Sequence, residues 1–176
     1  MRIIGGTHKG LRLRPPASLP VRPTTDLAKE ALFNILQHQV EFDGLAVLDL
    51  FAGTGSITLE FASRGASRVV AVDQYGKCVK FVKETADALG LANVETAKAD
   101  ASRYIGRGGG PFGLVFADPP YDWPTLPQLP SLVMQAGLLQ AGGLLVVEHP
   151  STRKLAAHPA WQDTRKYGYS SFSFYR

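Results

Sequence analysis

Apolar and polar positions follow a regular alternation from residue 45 to residue 150. Short apolar runs are separated by segments of helical period, including one that begins near Ser56 and one that spans about 75–89. The runs are AVLDL (46–50), RVVAVD (68–73), VETAKAD (94–100), FGLVFAD (112–118) and GGLLVVEH (142–149). Such continuous apolar runs are typical of strands that are buried on both faces. Their alternation with helices predicts an α/β fold with a doubly wound, parallel sheet.

The two ends of the chain have a different pattern. Residues 161–176 form two alternating segments joined at Gly168, which predicts an antiparallel hairpin at one edge of the sheet. Near the start, residues 11–14 alternate Leu and Arg after a glycine-rich turn, which predicts a short N-terminal β-hairpin with arginines on one face. A helix should follow 24–26, where Thr and Asp offer N-caps. Its apolar stripe, expected to pack on the body, comprises Ala28, Ala31, Leu32, Ile35 and Leu36.

Charge is distributed unevenly along the 176 residues, a length that suits one domain. We expect a basic hairpin arm at 1–25 and a body at 26–176. The arm has no acidic residue, whereas the body has one more acid than it has bases. This distribution favours contact between the arm and nucleic acid phosphates, against the alternative of a solvated face. The candidate RNA-binding residues are Arg2, Lys9, Arg12, Arg14 and Arg22.

The composition also bears on where the protein is located in the cell and on whether it binds a metal. No apolar run reaches the length of a membrane span, and the first residues do not resemble a signal peptide, so we expect a cytoplasmic protein without a membrane partner. Cys78 is the chain's one cysteine, and no His or Cys cluster accompanies it. We therefore expect Cys78 to be a core thiol and predict no metal site.

The segment VLDLFAGTGS (47–56) predicts a ligand site between a buried strand and a helix. Gly53 and Gly55 leave room for a ligand near the backbone. A dinucleotide fingerprint would place a third glycine at position 58, where this chain has Thr58. Asp49 at the strand end instead suits a cation such as the sulfonium and amino groups of S-adenosylmethionine. A purely structural glycine turn is the alternative.

Further acids close the neighbouring strands. Asp73 ends the second strand and could accept hydrogen bonds from ribose hydroxyls, while Asp100 or the Ala101 amide could meet an adenine edge. Because open α/β sheets bind ligands at the carboxyl ends of their strands, these acids should converge on one site. The predicted cofactor-binding residues are Asp49, Phe51, Gly53, Gly55, Asp73, Asp100, Ala101 and Asp118.

The sequence Asp118-Pro119-Pro120-Tyr121 follows the fourth apolar run and predicts amine methylation. Prolines stiffen the backbone and leave carbonyl groups free to accept. An exocyclic amine could donate to the Asp118 carboxylate and the Pro119 carbonyl, while Tyr121 stacks on the base. The predicted catalytic residues are thus Asp118, Pro119 and Tyr121. A strand end with a core tyrosine is the alternative interpretation.

These motifs together resemble the RsmD family of bacterial 16S ribosomal RNA guanine-N2 methyltransferases. The resemblance runs through RIIGGTHKGLRL, VRPTTDLAKEALFN, LDLFAGTGSITLE, FADPPY and LLVVEH, in that order. It implies a Rossmann-like class I methyltransferase fold with a seven-stranded, mostly parallel sheet. It also implies S-adenosylmethionine as cofactor and 16S ribosomal RNA as substrate, with ribosomal proteins of an assembling small subunit as partners.

Three other functions remain open at this stage. DPPY is shared with DNA adenine-N6 methyltransferases, and some members of the RsmD family carry Phe where this chain has Tyr121. An RNA-binding assembly factor would not require Asp49, Asp73 and Asp118, and a small-molecule methyltransferase would not require the basic arm. Arg22 is expected at RNA phosphate and the helix carrying Glu30 at the cofactor mouth, with helix capping by Thr24 and simple solvation of Glu30 as the alternatives. Glu148 is expected in the base pocket, with an exposed strand-end acid as the alternative.

Overall fold

The computed structural model describes residues 1–21 and 24–176, and it contains a seven-stranded sheet with helices on both faces. The helices are α1 (Asp26–Leu36), α2 (Ser56–Ser63), α3 (Gly76–Ala88), α4 (Ala101–Arg107) and α5 (Leu129–Gln135). The strands are β1 (Ala46–Asp49), β2 (Arg68–Asp73), β3 (Val94–Lys98), β4 (Phe112–Ala117), β5 (Leu139–Pro150), β6 (Trp161–Tyr167) and β7 (Ser170–Tyr175). Within the described residues, no helix is long and apolar enough to cross a membrane.

The strand order is β3-β2-β1-β4-β5-β7-β6. Strands β1 to β5 pair in parallel, whereas β7 pairs antiparallel with both β5 and β6. This arrangement confirms the predicted parallel sheet with a terminal antiparallel hairpin. The order reverses between β1 and β4, and such a reversal opens a crevice at the carboxyl ends of the strands.

Two apolar layers cover the sheet. On one face, α1 and α2 pack against β-strand residues such as Val47, Phe116 and Phe172. On the other face, α4 and α5 pack against alternate residues such as Leu48 and Val115. Because successive strand residues point to opposite faces, both sets of positions must be apolar. Cys78 on α3 is fully buried, as expected of a core thiol.

The N-terminal arm folds back on itself and docks onto the body. One antiparallel bridge joins Arg2 and Arg12, and the Ile3 amide donates to the Leu11 carbonyl at 2.9 Å. The predicted short hairpin is therefore present, with this one bridge and further backbone hydrogen bonds from Gly10 to Ile3 and from Leu13 to Met1. Ser63 on α2 donates to the Gly5 carbonyl at 2.7 Å, and Ile3 is buried in the core.

Helix α1 buries a lysine that the predicted stripe omitted. Thr25 caps the helix by accepting from the Ala28 amide. Leu32 and Leu36 are buried as predicted, but Ala31 and Ile35 are only half-buried. The fully buried set is Lys29, Leu32, Phe33 and Leu36. The helix is rotated relative to the predicted stripe, so that Lys29 meets an acid on α2.

A buried ion pair joins α1 to α2. The Lys29 ammonium lies 3.5 Å from the Glu60 carboxylate, and both side chains are essentially inaccessible to solvent. Lys29 also donates to the Arg2 carbonyl and to Ser56, while Glu60 accepts from Arg64 at 2.8 Å and from the Ile4 amide at 2.9 Å. Burial lowers the pKa of Lys29, and the charge of Glu60 opposes that shift.

Removal of one member of this pair should destabilise the fold strongly. Glu60→Ala leaves the Lys29 ammonium buried without its counter-ion, and we expect a loss of about 3–5 kcal/mol in the free energy of unfolding. Urea denaturation followed by circular dichroism measures this loss. Glu84→Ala, which removes one partner of the exposed Lys80–Glu84 pair, should change stability by less than ~0.5 kcal/mol.

The apolar double variant Lys29→Met/Glu60→Leu separates charge from packing. Since both charges of the pair are removed together, this variant should be more stable than Glu60→Ala, although Arg64 and the Ile4 amide still lose their acceptor. A Glu60→Ala variant as stable as the Glu84→Ala control would contradict the importance of the ion pair.

Candidate active site

A cavity of about 720 Å³ opens at the carboxyl ends of the parallel strands. Its walls come from the segments that follow β1, β2, β3 and β4, from Glu148 near the end of β5, and from Thr25 and Ala28 of α1. All the residues predicted for the cofactor, apart from Gly55, line this cavity. The crevice at the reversal of strand order therefore brings together residues that are far apart in the sequence.

The turn between β1 and α2 requires its two glycines for different reasons. Gly53 and Gly55 have φ values of 54° and 75°, in the left-handed region that favours glycine. A Cβ on Gly55 would lie 2.7 Å from the Val82 side chain, so this glycine permits close packing with α3. At Gly53 the nearest atom to such a Cβ belongs to the Val21 side chain at 3.7 Å, an ordinary van der Waals distance, and Gly53 itself lines the cavity.

Asp49 presents an unpaired oxygen at the floor of the cavity. Thr58 donates to Oδ2 of Asp49 at 2.7 Å, which explains the threonine at the position where a dinucleotide site has glycine. The second oxygen, Oδ1, is buried and has no hydrogen-bond partner among the described residues. Burial raises the pKa of Asp49 to about 7, and the charge of Asp73 adds to the shift. A positively charged ligand group would relieve this desolvation.

Asp73 organises the neighbouring turn. One carboxylate oxygen accepts from the Gly53 amide and the other from the Tyr75 amide, both at 2.8 Å. These bonds fix the glycine turn relative to β2. Because a carboxylate offers about four acceptor positions, two remain for ligand hydroxyls.

Asp100 and Ala101 lie at the end of β3, where the chain enters α4. Asp100 caps this helix by accepting from the Arg103 amide at 3.1 Å, and it also lines the cavity. The buried Ala101 follows it and lines the cavity beside Tyr75.

Asp118 and Glu148 form a second pair of acids, at the ends of β4 and β5. Burial raises the pKa of Asp118 well above the ordinary value, and the charges of Glu148 and Asp49 raise it further. The pKa of Glu148 is also raised by burial, and a hydrogen bond from Ser170 opposes this shift. Oε2 of Glu148 is buried without a hydrogen-bond partner in the described part of the chain. Glu148 therefore provides, beside Asp118, an acceptor atom that the described residues do not satisfy.

The segment after β4 holds its aromatic side chains at the cavity mouth. Pro119 is buried, while Tyr121 is half exposed and is not a core residue. Its hydroxyl lies 3.0 Å from the Ser170 hydroxyl, and its carbonyl accepts from Arg153. Trp123 packs edge-on against Phe51 with ring centroids 5.4 Å apart. An exposed ring held in place at the mouth can stack on a planar ligand.

The predicted RNA-binding residues differ in their exposure and in their ion pairs. Lys9, Arg12 and Arg14 are exposed, whereas Arg2 pairs with Glu30 at 2.6 Å and with Asp26 at 3.7 Å. The helix carrying Glu30 borders the cavity as expected, but Glu30 itself is turned to Arg2. Arg22 lies outside the described residues.

Several cavity residues were missed by sequence reasoning. Among them are Tyr75, Trp123 and Ser170. Tyr75 lies two residues after Asp73, and Trp123 lies two residues after Tyr121. An aromatic residue so close to a predicted site residue is the sequence signal, although a weak one, that could have indicated them. Ser170 reaches the site only through the pairing of β7 with β5, and no local pattern indicates that pairing.

These features fit S-adenosylmethionine. The unpaired Oδ1 of Asp49 suits a cationic group, the Gly53 backbone lines the cavity without a side chain, and Asp73 retains acceptor positions for ribose. Phe51, Tyr75 and the Ala101 region line the remaining space with the surfaces that an adenine ring requires.

Comparison with known proteins gives consistent matches. The family described as conserved hypothetical protein 95 matches residues 1–176. The chain is 31% identical over 160 residues to ribosomal RNA small subunit methyltransferase D of Escherichia coli (strain K12), covering 91% of this chain and 80% of that protein. A solved hypothetical protein of Thermus thermophilus superposes with a TM-score of 0.85 at 31% identity, covering 99% and 98% of the two chains.

A more distant structure shows the fold alone. An RNA methyltransferase from Salinibacter ruber, solved in complex with S-adenosyl-L-homocysteine, has a TM-score of 0.64 at 20% identity. The match covers 88% of this chain and 92% of that chain.

The raised pKa of Asp49 makes cofactor affinity depend on pH. Because the sulfonium group favours the ionised carboxylate, the affinity for S-adenosylmethionine should rise with pH through about 7. Ionisation increases from about a tenth at pH 6 to about nine tenths at pH 8, so Kd should fall roughly tenfold. Isothermal titration calorimetry at both pH values measures the change.

The Asp49→Asn variant provides the control. Asp49→Asn cannot ionise, so its weaker affinity should lose this pH dependence, after correction for the cofactor's own amino group. A Kd ratio equal in both proteins would show that Asp49 does not meet the charged group.

Proposed function

The chain belongs to the conserved hypothetical protein 95 family, the RsmD family, and from this membership we propose that it methylates the exocyclic N2 amine of a guanine in 16S ribosomal RNA, using S-adenosylmethionine. The observation that carries the proposal is the single cavity that contains the Asp49–Asp73 acids and the Asp118–Tyr121 segment. The name of the E. coli relative supports ribosomal RNA of the small subunit as substrate. We expect an assembling subunit with its proteins to present the target.

The cofactor supplies an electrophilic methyl group on a sulfonium. The backbone at Gly53 and the carboxylates of Asp49 and Asp73 would hold it, with the transferable group directed toward Asp118. Alignment and exclusion of water then account for most of the acceleration, because a methyl transfer requires in-line geometry above all.

The segment after β4 prepares the amine. The nitrogen lone pair of an exocyclic amine is delocalised into the base, so the planar amine is a weak nucleophile. Hydrogen bonds from its two protons to the Asp118 carboxylate and the Pro119 carbonyl would favour a pyramidal nitrogen. The buried Pro119 has no amide hydrogen and a fixed φ, so its carbonyl position is rigid. Tyr121 would stack on the base that is turned out of its RNA helix or loop.

The raised pKa of Asp118 suits it to receive the proton that the amine loses. As the nitrogen forms its bond to the methyl carbon, the carbon–sulfur bond breaks and the nitrogen becomes cationic. Asp118 is a stronger base than an exposed aspartate because it is desolvated and lies near Glu148. We propose that the proton passes to this pair of carboxylates and then to solvent.

Glu148 supports guanine over adenine as the target. The Watson–Crick edge of guanine presents the N1 and N2 protons side by side as donors, whereas adenine presents a donor at N6 and an acceptor at N1. The neighbouring carboxylates of Asp118 and Glu148, with Oε2 of Glu148 unpaired, complement the two adjacent N–H donors of guanine. An adenine N1 would face Glu148 without a proton between them, which is unfavourable when the glutamate is ionised. The RsmD reaction is therefore favoured over DNA adenine-N6 methylation.

Mass spectrometry of nucleosides tests the reaction. Undermethylated small subunits incubated with the protein and S-adenosylmethionine should gain N2-methylguanine. Asp118→Ala should lower turnover by at least ~10³-fold with cofactor affinity nearly unchanged, whereas Asp73→Ala should chiefly weaken cofactor binding. N6-methyladenine in a parallel DNA reaction, with no methylated RNA, would replace this proposal by DNA adenine methylation.

A second variant tests how the base is recognised. Glu148→Gln replaces one acceptor by an amide that donates, so kcat/KM for the RNA should fall by about 10–100-fold. The Kd for S-adenosylmethionine should stay within about twofold, since Glu148 lies on the far side of Asp118 from the glycine turn in strand order. Glu95→Gln, at an exposed residue of β3 paired with Arg68, is the matched control. Equal kcat/KM in both variants would remove Glu148 from base recognition.

A further inference from the structure

A second cluster of basic residues lies near the end of the sequence. Residues 150–176 contain five basic residues and one acid, so they carry a net charge of +4. The arm at 1–25 carries +5, and residues 26–149 therefore sum to −5. The positive charge of the protein is thus divided between two segments, and the body between them has a net negative charge.

Strand pairing places the second segment beside the active site. Pro150, at the carboxyl end of β5, pairs with Ser170, the first residue of β7. The β6–β7 turn at Gly168 and Tyr169 therefore projects from the same edge of the sheet as the cavity. Hydrogen bonds from Ser151 to the carbonyls of Tyr169 and Gly168 hold the turn against 151–154.

Contacts with the catalytic segment complete this surface. The Tyr121 hydroxyl meets Ser170, and Arg153 donates to the Tyr121 carbonyl. Lys166 pairs across the hairpin with Ser171, whose hydroxyl contacts Ser151, so Lys166 lies on the same face as that segment. We call the surface formed by Tyr121, Arg153, Lys154, Lys166 and Tyr169 the C-terminal rim.

Tyr169 is the most exposed large side chain of the rim. It is 90% accessible at the tip of a turn that its own backbone hydrogen bond fixes. An exposed aromatic ring on a hydrogen-bonded turn, with three cations on the same surface, matches the requirement of an unpaired RNA strand, whose bases stack on rings and whose phosphates attract Lys and Arg. A protein partner would use an apolar cluster around the ring, whereas Lys154 and Lys166 are exposed and charged.

We propose that the C-terminal rim is a second RNA-binding surface, distinct from the N-terminal arm. It binds the single-stranded nucleotides beside the target, with Tyr169 stacked on an unpaired base and Arg153, Lys154 and Lys166 at phosphates. This inference rests on the proposed function for the identity of the RNA. The N-terminal arm and the C-terminal rim then contact the RNA on two sides of the cavity mouth.

Direct binding to an unmethylated full-length 16S RNA transcript, measured by filter retention over a range of salt, tests the rim. Tyr169→Ala should weaken binding on the order of tenfold, and Tyr169→Phe should retain it. Lys154→Ala/Lys166→Ala should lower the slope of log affinity against log salt by roughly 1.5. The control is Lys80→Ala/Lys83→Ala, which removes the same charge from two exposed residues of α3. All variants should bind S-adenosylmethionine as the unaltered chain does.

Each other result has a defined meaning. Unchanged affinity and slope in the rim variants, or an equal loss in the α3 control, would overturn the proposal. Normal transcript binding with activity lost only on assembled subunits would assign the rim to a protein and would also overturn it. Rim variants that bind RNA weakly, while the unaltered chain methylates no RNA, would uphold the rim and refute the proposed function.

Discussion

Repulsion among carboxyl groups that converge on one cavity is the constraint to which the active site is adapted. Asp49, Asp73, Asp118 and Glu148 end four of the five parallel strands, and the fold forces those ends together. The protein accommodates these acids in different ways. Asp73 accepts two backbone amides, whereas Asp49 and Glu148 each keep an oxygen without a partner among the described residues. The unpaired oxygens, on Asp49 and Glu148, match what we propose for the two sides of the site: a cation of the cofactor on the glycine side and hydrogen-bond donors of a base on the other.

The central strands β1, β2, β4 and β5 could be predicted because most of their residues are buried on both faces. The bounds of β2 agree with the apolar run to the residue, and Asp49, Asp73 and Asp118 all reach the cavity from the ends of such runs. Helices α4 and α5 were not predicted, since each has seven residues and too few turns to show a period.

Interactions between distant segments account for what periodicity missed. Lys29 is buried on α1 because Glu60 is available on α2, and no helical pattern of α1 alone can reveal this. The same holds for Ser170, whose place at the cavity depends on the register of β7 with β5. The charge of the C-terminal segment was hidden in a sum over residues 26–176, in which the acidic body cancels it.

The position of β6 bears on how the protein avoids binding to itself. β6 is the edge strand of the sheet, and β7 lies between β6 and β5. The unpaired backbone donors and acceptors on that side of the sheet therefore belong to β6. An open edge of this kind invites another strand, and apolar edges aggregate. Here the exposed strand is polar along most of its length, with Asp163 and Arg165 paired on one face. The polar strand thus shields β7 and, beyond it, the apolar β5, and apolar substitutions in β6 would convert the edge into a site of intermolecular sheet extension.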